Sequence, residues 1–204
     1  MNLLLALLLL ACSPLAACQI IYLNGPSSVG KSTLTKALQN ELSQPYLHIG
    51  IDKVIEMMPE KVNNWNGGTA ELGFSWKNST DAEGRPVQIL QMGPFAAKMG
   101  KALREISAAL AKSNFYLIID DVAIEKDAFM LWKAALKDHK VLWVGLTAPL
   151  EVIENREKQR GDRQLGQARG CYFEVHKGFT YDLMLDTSQL STEELVKQIK
   201  CHNL

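Results

Sequence analysis

Residues 25–32 carry the clearest chemical pattern in the chain. They read Gly-Pro-Ser-Ser-Val-Gly-Lys-Ser and fit the pattern G-x-x-x-x-G-K-[ST]. Glycines let a backbone curl so that several N–H groups point at phosphate oxygens, and a helix that starts there adds its positive N-terminal end. The pattern therefore predicts a nucleoside triphosphate site, and a Gly-rich turn without a ligand is the alternative. The residues expected to hold the phosphates are Gly25, Pro26, Ser27, Ser28, Val29, Gly30, Lys31 and Ser32.

Two of these side chains have specific expected tasks. Lys31 is predicted to reach the β- and γ-phosphates of ATP, and the Ser32 hydroxyl is predicted to ligate Mg²⁺. A second metal ligand is expected at the end of the apolar run 115–120, where Asp120 and Asp121 follow each other. If this run is a strand beside the one that precedes the loop, it places a carboxylate near the same metal. Asp120 is the predicted ligand, and helix capping is the alternative, more so for Asp121.

A third carboxylate, Asp52, follows the apolar run 46–51. Ligands of open α/β sheets bind at the carboxyl ends of the strands, so a neighbouring strand would bring Asp52 to the phosphates. There it can accept the proton of an attacking hydroxyl and aim the oxygen at the γ-phosphorus. The alternative is an N-cap for a short helix over residues 53–58.

Three arginines after the fourth apolar run form a possible lid. Arg156, Arg160 and Arg163 are spaced i, i+4 and i+7, which places them on one face of a helix. Arginines on a mobile segment can offset charge on a transferring phosphoryl group. We expect Arg160 to act on that group and Arg156 and Arg163 to bind the nucleotide. A solvated helix with acidic partners is the alternative.

Short apolar runs alternate with helix-period segments along the chain, which predicts an α/β fold with a parallel sheet flanked by helices. Five runs qualify as strands: 19–24, 46–51, 115–120, 141–146 and 181–185. A helix is predicted from residue 31 to residue 42, and a capping box formed by Ser191 and Glu194 is predicted to open the last helix. His48 lies on a predicted buried strand and is interpreted as a core histidine. His176 either touches substrate or hydrogen-bonds a neighbouring loop.

Residues 63–86 differ from the rest, since Asn, Gly and Ser clusters surround three aromatic residues. Pairs with glycine at 67–68 and 83–84 predict turns, so this stretch is expected to be a hairpin-like excursion above the sheet. Long connections in compact domains are usually functional or mobile. Trp65, Phe74 and Trp76 either form an aromatic platform for a substrate or pack against each other, and packing is the favoured interpretation.

Charge and the N-terminal segment limit the function classes. Lysine plus arginine equals aspartate plus glutamate, 22 each, so there is no excess of positive charge to hold nucleic acid. Residues 1–18 form an apolar leader that ends in a lipoprotein-like Leu-Ala-Ala-Cys, but no basic residue precedes it. We expect a cytoplasmic domain over residues 19–204, because ATP is a cytosolic substrate. Membrane contact or export is expected only if the leader is a real anchor or signal.

Together these motifs resemble one family, the chloramphenicol phosphotransferase-like family, from about residue 20 to residue 188. The matching strings are IYLNGPSSVGKS at 21–32, GID at 50–52 with MP at 58–59, IIDDV at 118–122, VLWVG at 141–145, RE at 156–157, RGDR at 160–163, VHKG at 175–178 and YD at 181–182. The resemblance implies a P-loop kinase fold and ATP- and Mg²⁺-dependent transfer of phosphate to the hydroxyl of a small molecule. It implies that Asp52 is the general base, that Lys31 and Ser32 bind phosphate and metal, and that the three arginines are lid positions.

A chloramphenicol-like acceptor is one candidate that the resemblance suggests. A nucleotide or nucleoside kinase is the alternative within enzymes, because the same fold supports it. A nucleotide-binding switch that transfers nothing is the alternative from another class. A GTPase switch would need a base-reading Asn/Thr-Lys-x-Asp string, and the nearest one, at residues 35–38, lacks the aspartate.

Overall fold

The computed structural model describes residues 18–161 and 164–202, without the side chains of Glu125 and Lys126. The apolar leader, apart from Cys18, and the predicted lid residue Arg163 lie outside the described residues. The strands are β1 (Ile20–Asn24), β2 (Tyr46–Gly50), β3 (Phe74–Thr80), β4 (Pro86–Met92), β5 (Tyr116–Asp121), β6 (Val141–Thr147) and β7 (Leu183–Asp186). The helices are α1 (Lys31–Glu41), α2 (Ile51–Glu56), α3 (Pro94–Lys112), α4 (Glu125–Ala135), α5 (Leu150–Arg160), α6 (Gln167–Tyr172) and α7 (Thr192–Cys201).

Five strands form the parallel sheet that the apolar runs predict. Their order is β2-β5-β1-β6-β7, and every pair is parallel. The five-stranded parallel sheet flanked by helices is therefore confirmed. Strand ends differ from the predicted ones by one or two residues, because apolar runs do not mark where pairing stops. The largest shift is in the last strand, which begins at Leu183 rather than residue 181.

Alternation along β1 divides the core between the two faces of the sheet. Ile21 and Leu23 pack on one side with α1, α5 and α7, whereas Ile20 and Tyr22 pack on the other with α2, α3 and α4. Side chains of a strand point alternately to its two faces, so both faces need helices to exclude water. All four side chains are fully buried. This three-layer packing fixes the central strand, from which the predicted phosphate loop leaves.

The excursion predicted over residues 63–86 contains the first strand of a β-hairpin, β3 and β4. Phe74 pairs with Met92 at its open end and Thr80 with Pro86 at its turn. The second strand begins at Pro86, where the predicted excursion ends, so the hairpin extends further along the chain than expected. The predicted turn at residues 83–84 is confirmed, since Gly84 has φ 76 and donates its N–H to Asp81.

The aromatic residues before and within β3 pack together. Trp65 stacks on Phe74 with ring centroids 6.1 Å apart and lies 6.4 Å from Trp76. Phe74 is 1% exposed, so its ring cannot serve as an open platform. Packing, the favoured interpretation of these three residues, agrees with the structure.

The two ends of the described domain are also defined. Cys18 is buried in the core directly before β1. Ser191 accepts from the Glu194 backbone N–H and the Glu194 side chain accepts from the Ser191 N–H, so the predicted capping box opens α7.

Within residues 18–161 and 164–202, no helix combines the length and apolar character that a membrane crossing requires.

Candidate functional site

The segment between β1 and α1 has the geometry of a phosphate loop. A Cβ added at Gly25 would lie 2.5 Å from the Leu146 carbonyl oxygen, so only glycine allows this close approach to β6. Gly30 has φ 106 directly before α1, which a side chain would disfavour. Ser28 also has a positive φ, 63, and its buried Oγ has no hydrogen-bond partner among the described residues. A strained backbone with an unpartnered hydroxyl fits a loop shaped for a ligand.

Lys31 is folded back onto this loop. Its Nζ donates to the carbonyl oxygens of Gly25 and Pro26, both at 3.0 Å, and the residue is buried. The ammonium group of this first residue of α1 is therefore held against the backbone of the loop.

Ser32 and Asp120 are in contact, as the prediction of two neighbouring strands implies. Ser32 Oγ donates to Asp120 Oδ2 at 3.1 Å, because β5 runs beside β1 and both end at the same edge of the sheet. His48 Nε2 lies 3.5 Å from the same oxygen. Burial acts to raise the pKa of Asp120, but His48, Lys31 and Ser32 outweigh it, so the pKa lies below its ordinary value. The carboxylate is thus held ionised where a cation would bind.

The position of His48 differs from the interpretation of a core histidine. Its side chain is 24% exposed, against 12% for Asp120. Successive strand residues face opposite sides, and His48 shares a face of β2 with Gly50, which pairs with Asp120 in register. His48 therefore contacts a site carboxylate instead of packing in the core.

Asp121 points away from the site. Its Oδ2 accepts hydrogen bonds from Trp132 Nε1 at 2.6 Å and from the Tyr22 hydroxyl at 3.1 Å. Burial raises the pKa of this carboxyl group above its ordinary value. Helix capping does not describe it, since α4 has Ile124 as its N-cap without a side-chain cap. Asp121 braces the core beneath the site.

The residues that can hold Mg²⁺ are Ser32 and Asp120, both hard oxygen donors. No group of three or more His, Cys, Asp or Glu side chains suited to a metal occurs within the described ranges. Mg²⁺ is commonly held by one or two carboxylates together with waters and substrate phosphates, so this small donor set fits it.

Asp52 lies at the same edge of the sheet, directly after β2. This strand is further from the phosphate loop than expected. The predicted strand ends at Gly50, and Asp52 stands in the first turn of α2. β2 pairs with β5 and not with β1, so the expectation of a directly neighbouring strand is wrong: Asp120 lies between Asp52 and the phosphate loop. The capping alternative is not what the structure has, since Gly50 is the N-cap of α2.

Arg156 contacts the phosphate loop from α5. Its guanidinium donates to the Val29 carbonyl at 3.2 Å and to Thr187 Oγ1 and O, each at 2.9 Å. Thr187 Oγ1 also donates to the Val29 carbonyl at 2.7 Å. The first predicted lid arginine is therefore fixed beside the loop, and Thr187, which sequence reasoning missed, anchors it from the segment after β7.

The helix that was predicted to carry Arg156, Arg160 and Arg163 is shorter than the spacing of these arginines implied. α5 ends at Arg160, and Gly161 follows with φ 66, the left-handed conformation that terminates helices. Arg156 and Arg160 share α5, whereas Arg163, at i+7, lies outside the described residues.

Asn24, at the end of β1, is a site residue that sequence reasoning missed. Its Nδ2 donates to the Val175 carbonyl at 2.9 Å and to the Tyr181 hydroxyl at 2.8 Å, and its Oδ1 accepts from the Ala123 N–H at 2.9 Å. One fully buried side chain thus ties together three segments around the phosphate loop. A polar residue at the end of an apolar strand, directly before Gly25, is the signal that could have found it.

His176 extends this network. Its Nε2–H donates to the Leu146 carbonyl at 3.1 Å, and its Nδ1 accepts from the Tyr181 hydroxyl at 2.9 Å. Burial lowers the pKa of His176, which agrees with a neutral ring that donates at one nitrogen and accepts at the other. Of the two predicted roles, hydrogen bonding to a neighbouring segment is the one observed.

Comparison with known proteins places this geometry in context. A Mycobacterium tuberculosis protein whose name proposes O-phosphotransferase activity is 29% identical over 182 residues, which cover 89% of this chain and 80% of that protein. The APS kinase of Mycobacterium tuberculosis, solved in complex with AMPPNP and APS, has a TM-score of 0.61 at 14% identity and covers 91% of this chain and 96% of its own.

Two further solved structures share the fold. The Deinococcus radiodurans tunicamycin resistance protein has a TM-score of 0.56 at 18% identity, with coverage of 91% and 95% of the two chains. Shikimate kinase from Aquifex aeolicus has a TM-score of 0.53 at 17% identity, with coverage of 90% and 94%. At these identities the likeness establishes a P-loop kinase fold. The model of the family described as chloramphenicol phosphotransferase-like protein matches residues 18–203. This chain therefore belongs to the chloramphenicol phosphotransferase-like family, a family of phosphotransferases.

Proposed function

We propose that this chain transfers the γ-phosphoryl group of ATP to a hydroxyl group of a small molecule, with Mg²⁺ as cofactor. The observation that carries the proposal is the contact between Ser32 Oγ and Asp120 Oδ2, 3.1 Å, at the start of the helix that follows a curled glycine loop. A phosphate site and a pair of hard oxygen donors thereby share one edge of the sheet.

The phosphate loop supplies binding and charge. Backbone N–H groups of the loop over residues 25–32, other than at Pro26, which has none, and the N-terminal end of α1 bind the phosphates. Lys31 leaves the Gly25 and Pro26 carbonyl oxygens, which it contacts at 3.0 Å, and donates to the β- and γ-phosphates instead. Ser32 and Asp120 would hold Mg²⁺, whose chemistry is to neutralise charge on the phosphate oxygens.

Asp52 supplies the base. As the acceptor hydroxyl attacks, its oxygen forms a bond to the γ-phosphorus, and the bond from that phosphorus to the β–γ bridging oxygen breaks. The hydroxyl proton passes to the Asp52 carboxylate, and the products are a phosphate ester and ADP. Arg160 offsets charge on the transferring group, and Arg156 and Arg163 bind the nucleotide.

Family membership supports a small acceptor with an alcohol group, and a chloramphenicol-like antibiotic is the first candidate. Equal numbers of basic and acidic residues disfavour a nucleic-acid substrate. We place the kinase activity in residues 19–204 and in the cytoplasm, where ATP is supplied. Export or membrane attachment through residues 1–18 is the alternative.

A labelled-ATP screen tests the proposal. Purified protein is incubated with Mg²⁺, γ-labelled ATP and panels of hydroxylated antibiotics, nucleosides and sugars, and products are identified by mass spectrometry. A phosphate ester on an antibiotic or sugar hydroxyl supports it. Label found only on nucleosides or nucleotides would assign the alternative kinase class, and slow release of inorganic phosphate without any ester would assign the non-transferring switch.

A further inference from the structure

The short helix α6 lies between the phosphate loop and the β3–β4 hairpin. On one side, the Cys171 thiol faces the Ser27 backbone N–H, and its pKa is raised by burial. On the other side, Gly170 packs directly on the Gln88 backbone, too closely for any side chain. The Gln88 N–H also donates to the Gly166 carbonyl at 3.0 Å. The hairpin and the phosphate loop are thus separated by a single helix that contacts both.

Arg169 of α6 fastens the turn of the hairpin. Its side chain is 4% exposed and makes two charged hydrogen bonds, from Nε to Glu154 Oε1 at 2.6 Å and from a terminal nitrogen to Asp81 Oδ2 at 2.9 Å. A buried guanidinium is strongly destabilising when one partner is removed, so both carboxylates matter. The arginine therefore joins α5, α6 and the hairpin at one point.

Asp81 uses its two oxygens for different tasks. Oδ1 accepts from the N–H groups of Glu83 and Arg85 at 2.9 and 2.8 Å and shapes the turn, while Oδ2 accepts from Arg169 at 2.9 Å and also lies 3.3 Å from Arg85 Nε. The Arg85 N–H, and then the Arg169 side chain, hold the pKa of Asp81 below its ordinary value. A neutral amide at this position keeps an acceptor for the turn and loses the charged contact.

A second set of contacts carries the connection back to the phosphates. Glu157 of α5, 2% exposed, accepts from the N–H groups of Gly166 and Ala168 at 2.9 and 2.8 Å, so α6 starts in a fixed position on α5. The same helix holds Arg156, which donates to the Val29 carbonyl of the phosphate loop. An unbroken series of polar contacts thus runs from the loop through α5 and α6 to the hairpin turn.

We propose that Arg169 is a positioning residue that couples the β3–β4 hairpin to the nucleotide site, so that binding of Mg²⁺-nucleotide slows local opening of the hairpin. Coupling between two sites needs an element whose state both can bias, and the α5–α6 unit with its Arg169 contacts is that element. The inference rests on the nucleotide binding proposed above and goes beyond it by assigning a task to the excursion.

Hydrogen exchange with and without Mg²⁺ and AMPPNP, a stable ATP analogue, tests the coupling without an identified acceptor. In the wild-type protein the analogue should slow exchange of hairpin amides over residues 76–90 at least about fivefold. Asp81→Asn should remove this nucleotide-dependent protection and leave the dissociation constant of AMPPNP within about threefold of wild type, because the substitution lies outside the phosphate loop. Glu83→Gln is the matched control, since its exposed carboxylate pairs with Arg85 and its loss leaves Asp81 in place to hold Arg169, and it should behave as wild type.

The outcomes separate the two proposals. Bound AMPPNP without slower hairpin exchange in the wild-type protein, or equal protection in Asp81→Asn, would overturn the coupling alone. Absence of AMPPNP binding to folded wild-type protein would overturn the proposed function and the coupling with it. Glu154→Gln removes the other contact of Arg169, so it should also weaken the protection; a wild-type response there would contradict the positioning role.

Discussion

The phosphate loop and the β3–β4 hairpin are built in opposite ways. The loop follows β1, the central strand of the sheet. Its shape depends on eight consecutive residues and on buried groups beside them, such as Asn24. The hairpin lies outside the five-stranded sheet, and its turn is held by Arg169, which is 88 residues away from its partner Asp81. The proposed nucleotide site is thus specified by residues close in sequence, whereas the position of the hairpin is specified by contacts between distant segments.

The phosphate loop and the hairpin should therefore differ in how well they tolerate substitutions. A local motif tolerates little change, because most residues of the loop are buried. A hairpin whose turn is held by a charged contact and whose second strand packs on α6 can change its exposed residues and keep its fold. We therefore expect substitutions in the loop to affect turnover or folding strongly, and those on the hairpin surface to affect neither.

The largest expected effect is that of Lys31→Ala. Loss of the ammonium group removes a charge aimed at the transferring phosphates and should lower kcat/KM for ATP about 10³-fold. Lys36→Ala, at an exposed position of the same helix, is the control and should retain wild-type kinetics. Steady-state rates with the acceptor found in the screen measure both variants. A wild-type kcat/KM for Lys31→Ala would contradict the assignment of the loop.

Asn24→Ala tests the buried support of the loop. The substitution leaves the Ala123 N–H and the Val175 carbonyl buried without their partner and should lower the free energy of unfolding by about 3 kcal/mol. Asn78→Ala, at an exposed position of the hairpin, should change it by less than about 0.5 kcal/mol. Urea denaturation measures both values, and similar values would remove the contrast between the two regions.

Asp52→Asn tests the base. The amide keeps the shape of the side chain but cannot take the hydroxyl proton, so transfer should fall about 10²-fold at unchanged ATP affinity. Glu56→Gln, on the same helix, removes an exposed carboxylate that contacts Lys53 and should leave the rate unchanged. Product formation in single turnovers, with nucleotide affinity measured separately, decides the matter; a wild-type rate would exclude Asp52 as base.

His48→Asn should have the smallest effect of the four. The shorter side chain cannot reach Asp120 Oδ2, which His48 Nε2 approaches to 3.5 Å, so the carboxylate loses a group that orients it. We expect about tenfold weaker apparent affinity for Mg²⁺, measured by titrating Mg²⁺ into protein and AMPPNP. His139→Asn, whose ring contacts Gln19, is the control. An unchanged Mg²⁺ requirement in His48→Asn would show that Asp120 needs no such support.

The sheet and the phosphate loop could be predicted because their signals are short in sequence. The apolar runs 19–24, 46–51 and 115–120 mark strands whose carboxyl ends share one edge, and the glycine spacing marks the loop. The order of the strands could not be predicted from the apolar runs. β5 separates β2 from β1, so Asp52 lies one strand further from the loop than expected.

The lid and the hairpin contacts could not be predicted. α6 is six residues long and contains Gly170, which lowers helix propensity and is required by packing on β4. Arg169 and Glu157 look like ordinary surface charges in sequence, and only tertiary structure shows that both are buried. Arg156 was predicted to bind nucleotide, but its contacts with Val29 and Thr187 depend on three segments meeting.

Calorimetric titration of AMPPNP into the folded wild-type protein in the presence of Mg²⁺ tests the central claim most directly. The account predicts one nucleotide per chain, a dissociation constant between about 1 µM and 1 mM, and loss of the binding heat when Mg²⁺ is withdrawn. Absence of a binding heat at any Mg²⁺ concentration, from protein whose circular dichroism shows the α/β fold intact, would contradict it.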